Sequence, residues 1–383
     1  MPVHFSDQEM DERRGRATAA VAASGYDAVL LFKQESMYWL SGYDTFGFSM
    51  FQCLVLTSDG RMALLTRAPD RGTARYTSNL TDIRIWADVE GVNPAEQLVD
   101  MLRDLGLNGS RLGIEIDSYG LKASNWIMLE AALDGFATWA DASTLIQELR
   151  RTKSPAELAY IRRAAELADD AWDAAVAAAA PGVSEADILA DMQGGMLRAG
   201  GDYAGNELII GSGPAALMVR YTSGRRTLGA NDQLTLEWCG VERRYHAAMM
   251  RTLLTGTPHP DHIAMHAACV DALEACEAAI KPGATLGHVF DEHARVLDDA
   301  GWQAHRMNAC GYGMGAVYAP IWVDWPMLYH GNPLTFDVNQ VYFLHMIILD
   351  LDNERAMNLG HSVVVTEDGC ERLSRSSLDL VVN

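Results

Sequence analysis

The sequence has few basic residues and no long apolar run. Its 383 residues include 30 Lys and Arg against 51 Asp and Glu, which gives a formal net charge of −21. Phosphate backbones and anionic lipid surfaces repel such a chain, so we expect neither a nucleic-acid nor a membrane partner. No stretch reaches the roughly 18–20 apolar residues that a membrane helix requires, and no basic segment followed by an apolar run opens the chain. We therefore expect a cytoplasmic protein.

Cysteine is also scarce. The six cysteines show no C-x-x-C spacing and no dense framework; they are Cys53, Cys239, Cys269, Cys276, Cys310 and Cys370. In a chain long enough to bury a large core, we expect them to be reduced. Cys310 has the chemistry of a nucleophile, but a small buried side chain is the more ordinary role for a cysteine without a paired histidine signature.

The first part of the chain carries the signals of an α/β layer. Ser6 and Glu9 have the spacing of a capping box, so a helix is predicted from there to about Gly25. A buried strand is predicted at 28–32, and a hairpin joins 52–56 to 62–65. Further strands at 83–86, 111–116 and 136–140 alternate with helices near 94–105 and 121–133. The pattern predicts an α/β domain of about 150 residues.

The composition changes near Thr152, where a charged connector leads into an Ala-rich helix. We therefore predict domains over 1–151 and 152–383. In the second domain, the Ala-rich helix is predicted to end near 180, and a second helix that begins after the stop at 181–182 is predicted to end near 199. Further helices are predicted at 259–280 and 286–300. Strand–turn–strand units are predicted at 233–254 and 341–366, and a single strand at 207–210. There is no tandem repeat and no low-complexity tract.

Four local phrases resemble the creatinase/aminopeptidase P superfamily. They are Arg-x-x-Lys-Ser-Pro-x-Glu at 150–157, Gly-Ser-Gly-Pro at 211–214, a turn Gly-Tyr-Gly-Met-Gly at 311–315 and Val-Val-Val-Thr-Glu-Asp-Gly at 363–369. The resemblance covers nearly the whole chain. It implies a small N-terminal α/β domain joined to a pita-bread catalytic domain, a fold class that mixes α/β and α+β organisation. It also implies a homodimer.

The same resemblance gives a role to the aromatic residues of the N-terminal domain. In this superfamily a loop of that domain reaches the active site of the partner subunit. Tyr38, Tyr43, Phe46 and Phe48 would then form an aromatic lid that contacts a cationic substrate. Core packing is the alternative for at least some of these four side chains.

The metal ligands that the superfamily implies are missing from this sequence. Its peptidases hold two metal ions with two Asp, one His and two Glu, because hard divalent ions need several anionic oxygens. Glu237 lies near the first Asp position; the other positions hold the apolar run 247–250, Tyr312, His345 and Gly360. One carboxylate does not assemble a dinuclear site, so we expect no metal and no other cofactor.

Five longer phrases resemble the ectoine hydrolases, a metal-free branch of the superfamily. They lie at 35–43, 232–238, 245–252, 308–312 and 345–348, and they include the positions of the lost ligands. The resemblance implies hydrolysis of the cyclic amidine of ectoine, and of 5-hydroxyectoine, to N-acetyl-L-2,4-diaminobutyrate. It also implies functional coupling to a deacetylase.

Four residues are candidates for the chemistry of such a reaction. Glu237, on an otherwise apolar strand, would attack the amidine carbon or activate water; an outward-facing strand residue is the alternative. His345 and His246 would carry protons, although each is equally suited to be a hydrogen-bonded core histidine. Tyr312 would donate a hydrogen bond to the tetrahedral intermediate, with ring packing as the alternative.

Other residues are candidates for substrate binding. Arg220 and Arg251 are suited to clamp a carboxylate because a guanidinium offers two parallel donors, and Arg220 also replaces the catalytic histidine of creatinase. Trp238 is a further predicted contact beside Glu237. Asp350 and Asp352 would orient a reacting group, but aspartate is also common in turns for backbone bonding alone.

Three other functions are compatible with the sequence. One is a creatinase-like amidinohydrolase that acts on another small zwitterion, and the second is a metallopeptidase that cleaves Xaa-Pro peptides. The third is a binding module that kept the pita-bread fold and lost its catalytic groups. Metal analysis, a panel of small substrates and the substitution Glu237→Gln would separate these functions.

Overall fold

A computed structural model describes residues 3–221 and 224–383. Its contacts divide the chain into Met1–Arg150 and Arg151–Asn383. Among the described residues, none of the helices is long and apolar enough to cross a membrane.

The first unit alternates helices with short strands, as predicted. The capping residue Ser6 accepts a hydrogen bond from the Glu9 backbone N–H at 3.2 Å, which sets the start of the first helix. The elements are α1 Asp7–Ala23, β1 Ala28–Leu31, α2 Gln34–Ser41, β2 Cys53–Thr57, β3 Met62–Arg67, α3 Arg71–Thr77, β4 Asp82–Trp86, α4 Pro94–Asp104, β5 Arg111–Ile114, α5 Ala123–Leu133, β6 Thr138–Asp141 and α6 Leu145–Arg151.

These strands form one six-stranded sheet in the order β4-β3-β2-β1-β5-β6. The predicted hairpin is confirmed, since β2 and β3 pair antiparallel. Apolar side chains of α4 and α5 cover one face of the sheet, and those of α1 and α2 cover the other. The sequence reading missed α2 because seven of its eight residues are buried, which leaves no polar face and no helical periodicity to detect.

The second unit begins with a capped helix. Ser154 and Glu157 form a reciprocal capping box at the start of α7, which gives the Ser-x-x-Glu spacing of the connector a local physical reason. The elements are α7 Pro155–Ala178, α8 Glu185–Arg198, β7 Ile209–Ser212, β8 Asp232–Glu242, β9 Tyr245–Thr255, α9 Pro260–Ala279, α10 Leu286–Asp299, β10 Gly311–Gly313, β11 Asp324–Leu328, β12 Val341–Asp350, β13 Arg355–Val365, β14 Cys370–Arg372 and β15 Val381–Val382.

A nine-stranded sheet organises this unit. Seven strands follow the order β11-β10-β12-β13-β9-β8-β7, with β14 beside β13 and β15 beside β9. Both predicted strand–turn–strand units are confirmed as hairpins, β8–β9 and β12–β13, and β9 pairs with β13 between them. Apolar side chains of α7 and α8, and of α9 and α10, pack on the same face of the sheet. The opposite face is left for the site.

The predicted turn at 311–315 is wrong. Residues 311–313 form β10, which pairs with β11 on one side and β12 on the other. The glycines serve close backbone approach instead: a Cβ on Gly311 would overlap the Phe343 carbonyl oxygen, and a Cβ on Gly313 would lie 2.5 Å from the Trp325 carbonyl oxygen. In this chain the Gly-x-Gly pattern therefore belongs to a strand with a neighbour on each side, where other backbone segments leave no room for a Cβ.

Candidate active site

The strand registers bring the predicted residues onto one face of the second sheet. Glu237 lies opposite Met250, Met250 opposite Gly360, and Gly360 opposite His345. Directly opposed residues point to the same side of a sheet, so these four form one row across four strands. In the next row, Tyr312 lies opposite Phe343. Residue pairing thus places Glu237, His345 and Tyr312 on one surface.

The sheet is strongly curved around this surface. Glu237 and Tyr312 stand on strands four places apart, and in a flat sheet their backbones would lie about 19 Å from each other. The Tyr312 hydroxyl nevertheless lies 3.4 Å from Oε1 of Glu237, within reach of a hydrogen bond to it. The face that carries the row is therefore concave, and the two side chains meet across it.

Glu237 is a buried carboxyl group. Its residue is 7% exposed, and burial raises its pKa to about 8, against the smaller lowering effects of the Tyr312 hydrogen bond and the Arg220 charge. A carboxyl in such surroundings is protonated in a large fraction of molecules at neutral pH. A bound cation would favour the ionised form, which is the form that acts as a nucleophile or a base.

His345 is buried beside Tyr312. Its ring centroid lies 5.7 Å from that of Tyr312 and 5.5 Å from that of Phe343. Burial lowers its pKa to about 4, so the ring is neutral at pH 7, and Nδ1 has no hydrogen-bond partner among the residues described. A neutral imidazole with an open nitrogen is able to accept a proton.

Two buried aromatic side chains of this unit were not predicted from the sequence. Trp322 donates a hydrogen bond from Nε1 to the Tyr312 hydroxyl at 2.8 Å. His293, on α10, is fully buried, and this burial is the main cause that lowers its pKa to about 3. Neither residue belongs to a recognisable motif, and Trp322 lies in a segment without regular secondary structure.

His246 shares the sheet face of Glu237, but backbone groups occupy both of its ring nitrogens. Gly205 donates its N–H to Nε2 at 2.9 Å, and Nδ1 lies 2.8 Å from the Arg244 carbonyl oxygen. Because a carbonyl only accepts, Nδ1 carries the proton. Burial lowers the pKa to about 4, consistent with a neutral ring. These contacts do not support the predicted proton transfer, which stays a prediction.

The two candidate arginines lie in different surroundings. Arg220 is exposed, and its charge lowers the pKa of Glu237. Arg251 lies opposite Leu236 and therefore points to the helix-covered face. It is buried, and its guanidinium donates to the carbonyl oxygens of Met250 at 2.8 Å and Gly360 at 2.5 Å. Of the two, Arg220 is the one whose charge acts on Glu237.

Three other predicted contacts lie away from the row. Trp238 points to the helix-covered face, where it stacks on Trp172 and donates from Nε1 to the Ala168 carbonyl oxygen at 2.9 Å. Asp350 ends β12, five residues beyond His345, and accepts hydrogen bonds from Asn353 in the turn. Asp352 is an exposed residue of the same turn. Their contacts are structural, and the structure does not bring them to Glu237.

The four predicted aromatic residues of the first unit divide into core and surface. Tyr38 and Tyr43 are fully buried; the Tyr38 hydroxyl lies 2.8 Å from Nδ1 of His4, and the Tyr43 hydroxyl lies 3.2 Å from that of Thr66. Phe48 is half-buried, whereas Phe46 is 83% exposed. Core packing therefore accounts for the two tyrosines, and Phe46 is the one aromatic ring of the four that is available to a ligand or a partner.

The residues on the concave face do not fit a dinuclear metal site. The positions where the superfamily carries ligands hold Glu237, Ala248 or Met250 from the apolar run, Tyr312, His345 and Gly360. Across 3–221 and 224–383, no group of three or more His, Cys, Asp or Glu side chains is placed to hold a metal ion. One carboxyl and one imidazole offer too few donors for hard divalent ions, which prefer several anionic oxygens.

Known proteins share both units of this chain. Residues 13–152 match the creatinase/prolidase N-terminal domain, and residues 159–367 match metallopeptidase family M24. The fold and the paired units define a two-domain hydrolase with a creatinase-type N-terminal domain and a pita-bread domain. The chain belongs to metallopeptidase family M24.

Relatives and solved structures cover nearly the full length. An uncharacterized hydrolase/peptidase of Sinorhizobium fredii is 28% identical over 99% of both chains. The ectoine hydrolase of Halomonas elongata is 25% identical over 97% of this chain and 96% of its own. The Xaa-Pro dipeptidase of Bacillus anthracis superimposes with a TM-score of 0.85 at 19% identity, covering 98% of this chain and 100% of its own.

Proposed function

We propose that this chain is an ectoine hydrolase that opens the cyclic amidine of ectoine, and of 5-hydroxyectoine, without a metal ion. The observation that carries the proposal is Glu237, a buried carboxyl group on a concave face whose other ligand positions hold no second carboxylate. The full-length similarity to the Halomonas elongata enzyme supports the choice of substrate.

The charge of the substrate suits the buried carboxyl group. Ectoine carries a cyclic amidinium and one carboxylate. The amidinium would pair with Glu237 and favour its ionised form, because an opposite charge at short range lowers the pKa of a carboxyl. The charge of Arg220 acts on the same carboxyl group, and its guanidinium is suited to receive the substrate carboxylate in a bidentate contact.

Ring opening then requires addition of water across one C–N bond. Glu237 attacks the amidine carbon directly or removes a proton from a water molecule that does so. Tyr312 donates toward the charge that develops at the tetrahedral centre. His345, neutral in the free protein, accepts a proton released from the adding water and transfers a proton to the departing nitrogen. The product is N-acetyl-L-2,4-diaminobutyrate, whose acetyl group is a substrate for a deacetylase. Coupling to such an enzyme is part of the proposal.

We also propose that the enzyme works as a cytoplasmic homodimer. Phe46 supports the dimer, because a phenyl ring that is 83% exposed loses water contact when a second chain covers it. In the proposed dimer, the loop that carries Phe46 lies near the active site of the partner subunit and adds an aromatic ring to it.

Product analysis tests the proposed function. Purified protein is incubated with ectoine, 5-hydroxyectoine, creatine and an Xaa-Pro dipeptide, with and without a chelator, and products are followed by mass spectrometry. We expect chelator-insensitive loss of ectoine, and loss of this activity in Glu237→Gln. The matched control is Glu242→Gln, at the last residue of the same strand, which should keep the activity.

The other outcomes point to other functions. Chelator-sensitive cleavage of the dipeptide with no turnover of ectoine would refute the proposal in favour of a metallopeptidase. Turnover of creatine alone would favour an amidinohydrolase. Binding of ectoine without a product, in wild type and Glu237→Gln alike, would indicate a binding module.

A further inference from the structure

Trp322 is a buried residue that the reaction described above does not use. It is 2% exposed and lies between β10 and β11, in a segment without regular secondary structure. Its indole Nε1 lies 2.8 Å from the Tyr312 hydroxyl, which in turn lies 3.4 Å from Glu237 Oε1. The three side chains therefore form a continuous chain of hydrogen bonds.

The chemistry of the indole fixes the direction of this chain. An indole N–H donates and does not accept, so the Tyr312 hydroxyl must accept from Trp322. The hydroxyl has one proton of its own, and burial, reinforced by the Glu237 charge, raises the pKa of Tyr312 well above its usual value, so this proton is retained. With its acceptor side occupied by the indole, the hydroxyl is left to donate to Glu237.

The backbone around Trp322 is held from the other side. Its N–H donates to Oδ1 of Asn206 at 3.0 Å. The preceding residue of that loop, Gly205, donates to Nε2 of His246, and a Cβ on Gly205 would lie 2.7 Å from the Ile321 carbonyl oxygen. The loop at 205–206 thus rests directly on the 321–322 backbone. His246, whose ring nitrogens are both occupied, fixes that loop to β9.

We propose that Trp322 is a positioning residue, which directs the hydroxyl proton of Tyr312 at Glu237 in the free protein and, during the reaction, at the tetrahedral centre formed beside Glu237. Trp322 acts only through Tyr312 and does not touch the substrate. The loop at 205–206, anchored by His246, holds Trp322 in place. The kinetic consequence rests on the proposed function, whereas the hydrogen-bond chain exists in the free protein and is tested there.

The first experiment needs no substrate. In ¹⁵N-labelled protein, the nine tryptophans give separate indole N–H resonances, and the one lost in Trp322→Phe belongs to Trp322. In Tyr312→Phe this resonance should move upfield, because the indole proton loses its acceptor. If Trp322→Phe does not fold, Tyr312→Phe alone carries the test. An indole spectrum that is unchanged in Tyr312→Phe overturns the proposal.

The second experiment measures kcat for ectoine in a double-mutant cycle. Trp322→Phe keeps an aromatic ring and removes the donor, so kcat should fall about tenfold, the effect of one net hydrogen bond. In a Tyr312→Phe background the same change should have almost no further effect, since the group it orients is gone. Equal losses in the two backgrounds would show a general structural role and overturn the proposal.

A matched control separates loss of the donor from loss of packing. Trp86 is also buried and donates from Nε1 to the Phe51 carbonyl oxygen at 2.8 Å, but it lies in the first unit. Trp86→Phe should leave kcat unchanged. The two proposals fail separately: a shifted indole resonance without turnover of ectoine refutes the substrate, and turnover of ectoine without a shifted resonance refutes the role of Trp322.

Discussion

Replacing Glu237 by Gln should make the protein more stable, increasingly so as the pH rises. The substitution keeps the size of the side chain and its ability to accept the Tyr312 hydrogen bond, and it removes the ionisable group. A buried carboxylate without a paired cation is costly, so evolution for stability alone would not keep it. The effect should appear even though, under the proposed function, Glu237→Gln is expected to inactivate the enzyme.

The direction and size follow from the pKa. Burial raises the pKa of Glu237 from 4.5 to about 8 in the folded protein. Between these values the folded state binds more protons than the unfolded state, so wild-type stability falls as the pH rises through this window. Below about 4.5 both states are protonated and the contribution vanishes. At about 1.36 kcal/mol for each pKa unit, the loss is complete above pH 8 and is on the order of 3–5 kcal/mol.

Urea unfolding of both proteins from pH 5 to pH 9 measures this effect. The difference in unfolding free energy between Glu237→Gln and wild type cancels all other titrating groups, and it should grow from pH 5 to about pH 8 and then level off. Glu207→Gln, at an exposed position just before β7, should follow wild type at every pH. A constant difference between Glu237→Gln and wild type would mean that the carboxyl group is ionised with its ordinary pKa, and the reasoning about its burial would be wrong.

Three further predictions test individual contacts. Arg220→Met removes a charge that lowers the pKa of Glu237, so the midpoint of the pH profile of kcat/KM for ectoine should move above pH 8. An unmoved midpoint would mean that Arg220 does not act on Glu237. Trp238→Phe loses a bond to the Ala168 carbonyl oxygen on the helix-covered face, so it should lower the unfolding free energy by about 1 kcal/mol and leave kcat unchanged; a large loss of kcat would place the ring in the site. Glu115→Ala leaves the N–H groups of Phe32 and Lys33 and the Ser36 hydroxyl without their buried acceptor, so urea unfolding should show a loss of about 3 kcal/mol or more, whereas exposed Glu130→Ala should show almost none.

Much of the fold is readable from local signals in the sequence. The capping signal at Ser6 and Glu9 and the hairpin turn at 57–60 act within a few residues, and the structure has the predicted element at each. The helix at Gln34–Ser41 and the strand at Gly311–Gly313 were not predictable in the same way. Neighbouring elements bury the helix on nearly all sides. The glycines of the strand are required by the close approach of backbone segments that are distant in sequence.

The candidate site, like the fold, was predictable only in part. Residue type marked Glu237 and His345 only together with the family resemblance, because an ionisable group in an apolar strand is unusual but is also compatible with a buried structural role. Residue type did not reveal which way a side chain points. Trp238 follows Glu237 in sequence and therefore faces the opposite side of the strand, and Arg251 shares that side because it pairs with Leu236. Trp322 was not predictable at all, since a side-chain hydrogen bond to Tyr312, which the sequence does not reveal, is what links it to the site.

Neutral residues at the other ligand positions help to explain the raised pKa of Glu237. In a dinuclear site, carboxylates stay ionised in a buried place because metal cations compensate their charge. On this concave face one carboxyl group keeps its burial and neutral residues occupy the other positions; among the residues that the structure describes, Arg220 is the one cation that lowers its pKa. The group is therefore costly to ionise until another positive charge arrives. Under the proposed function, an amidinium substrate would bring that charge with it, so that binding would also activate Glu237, whereas a neutral peptide bond would not supply the charge.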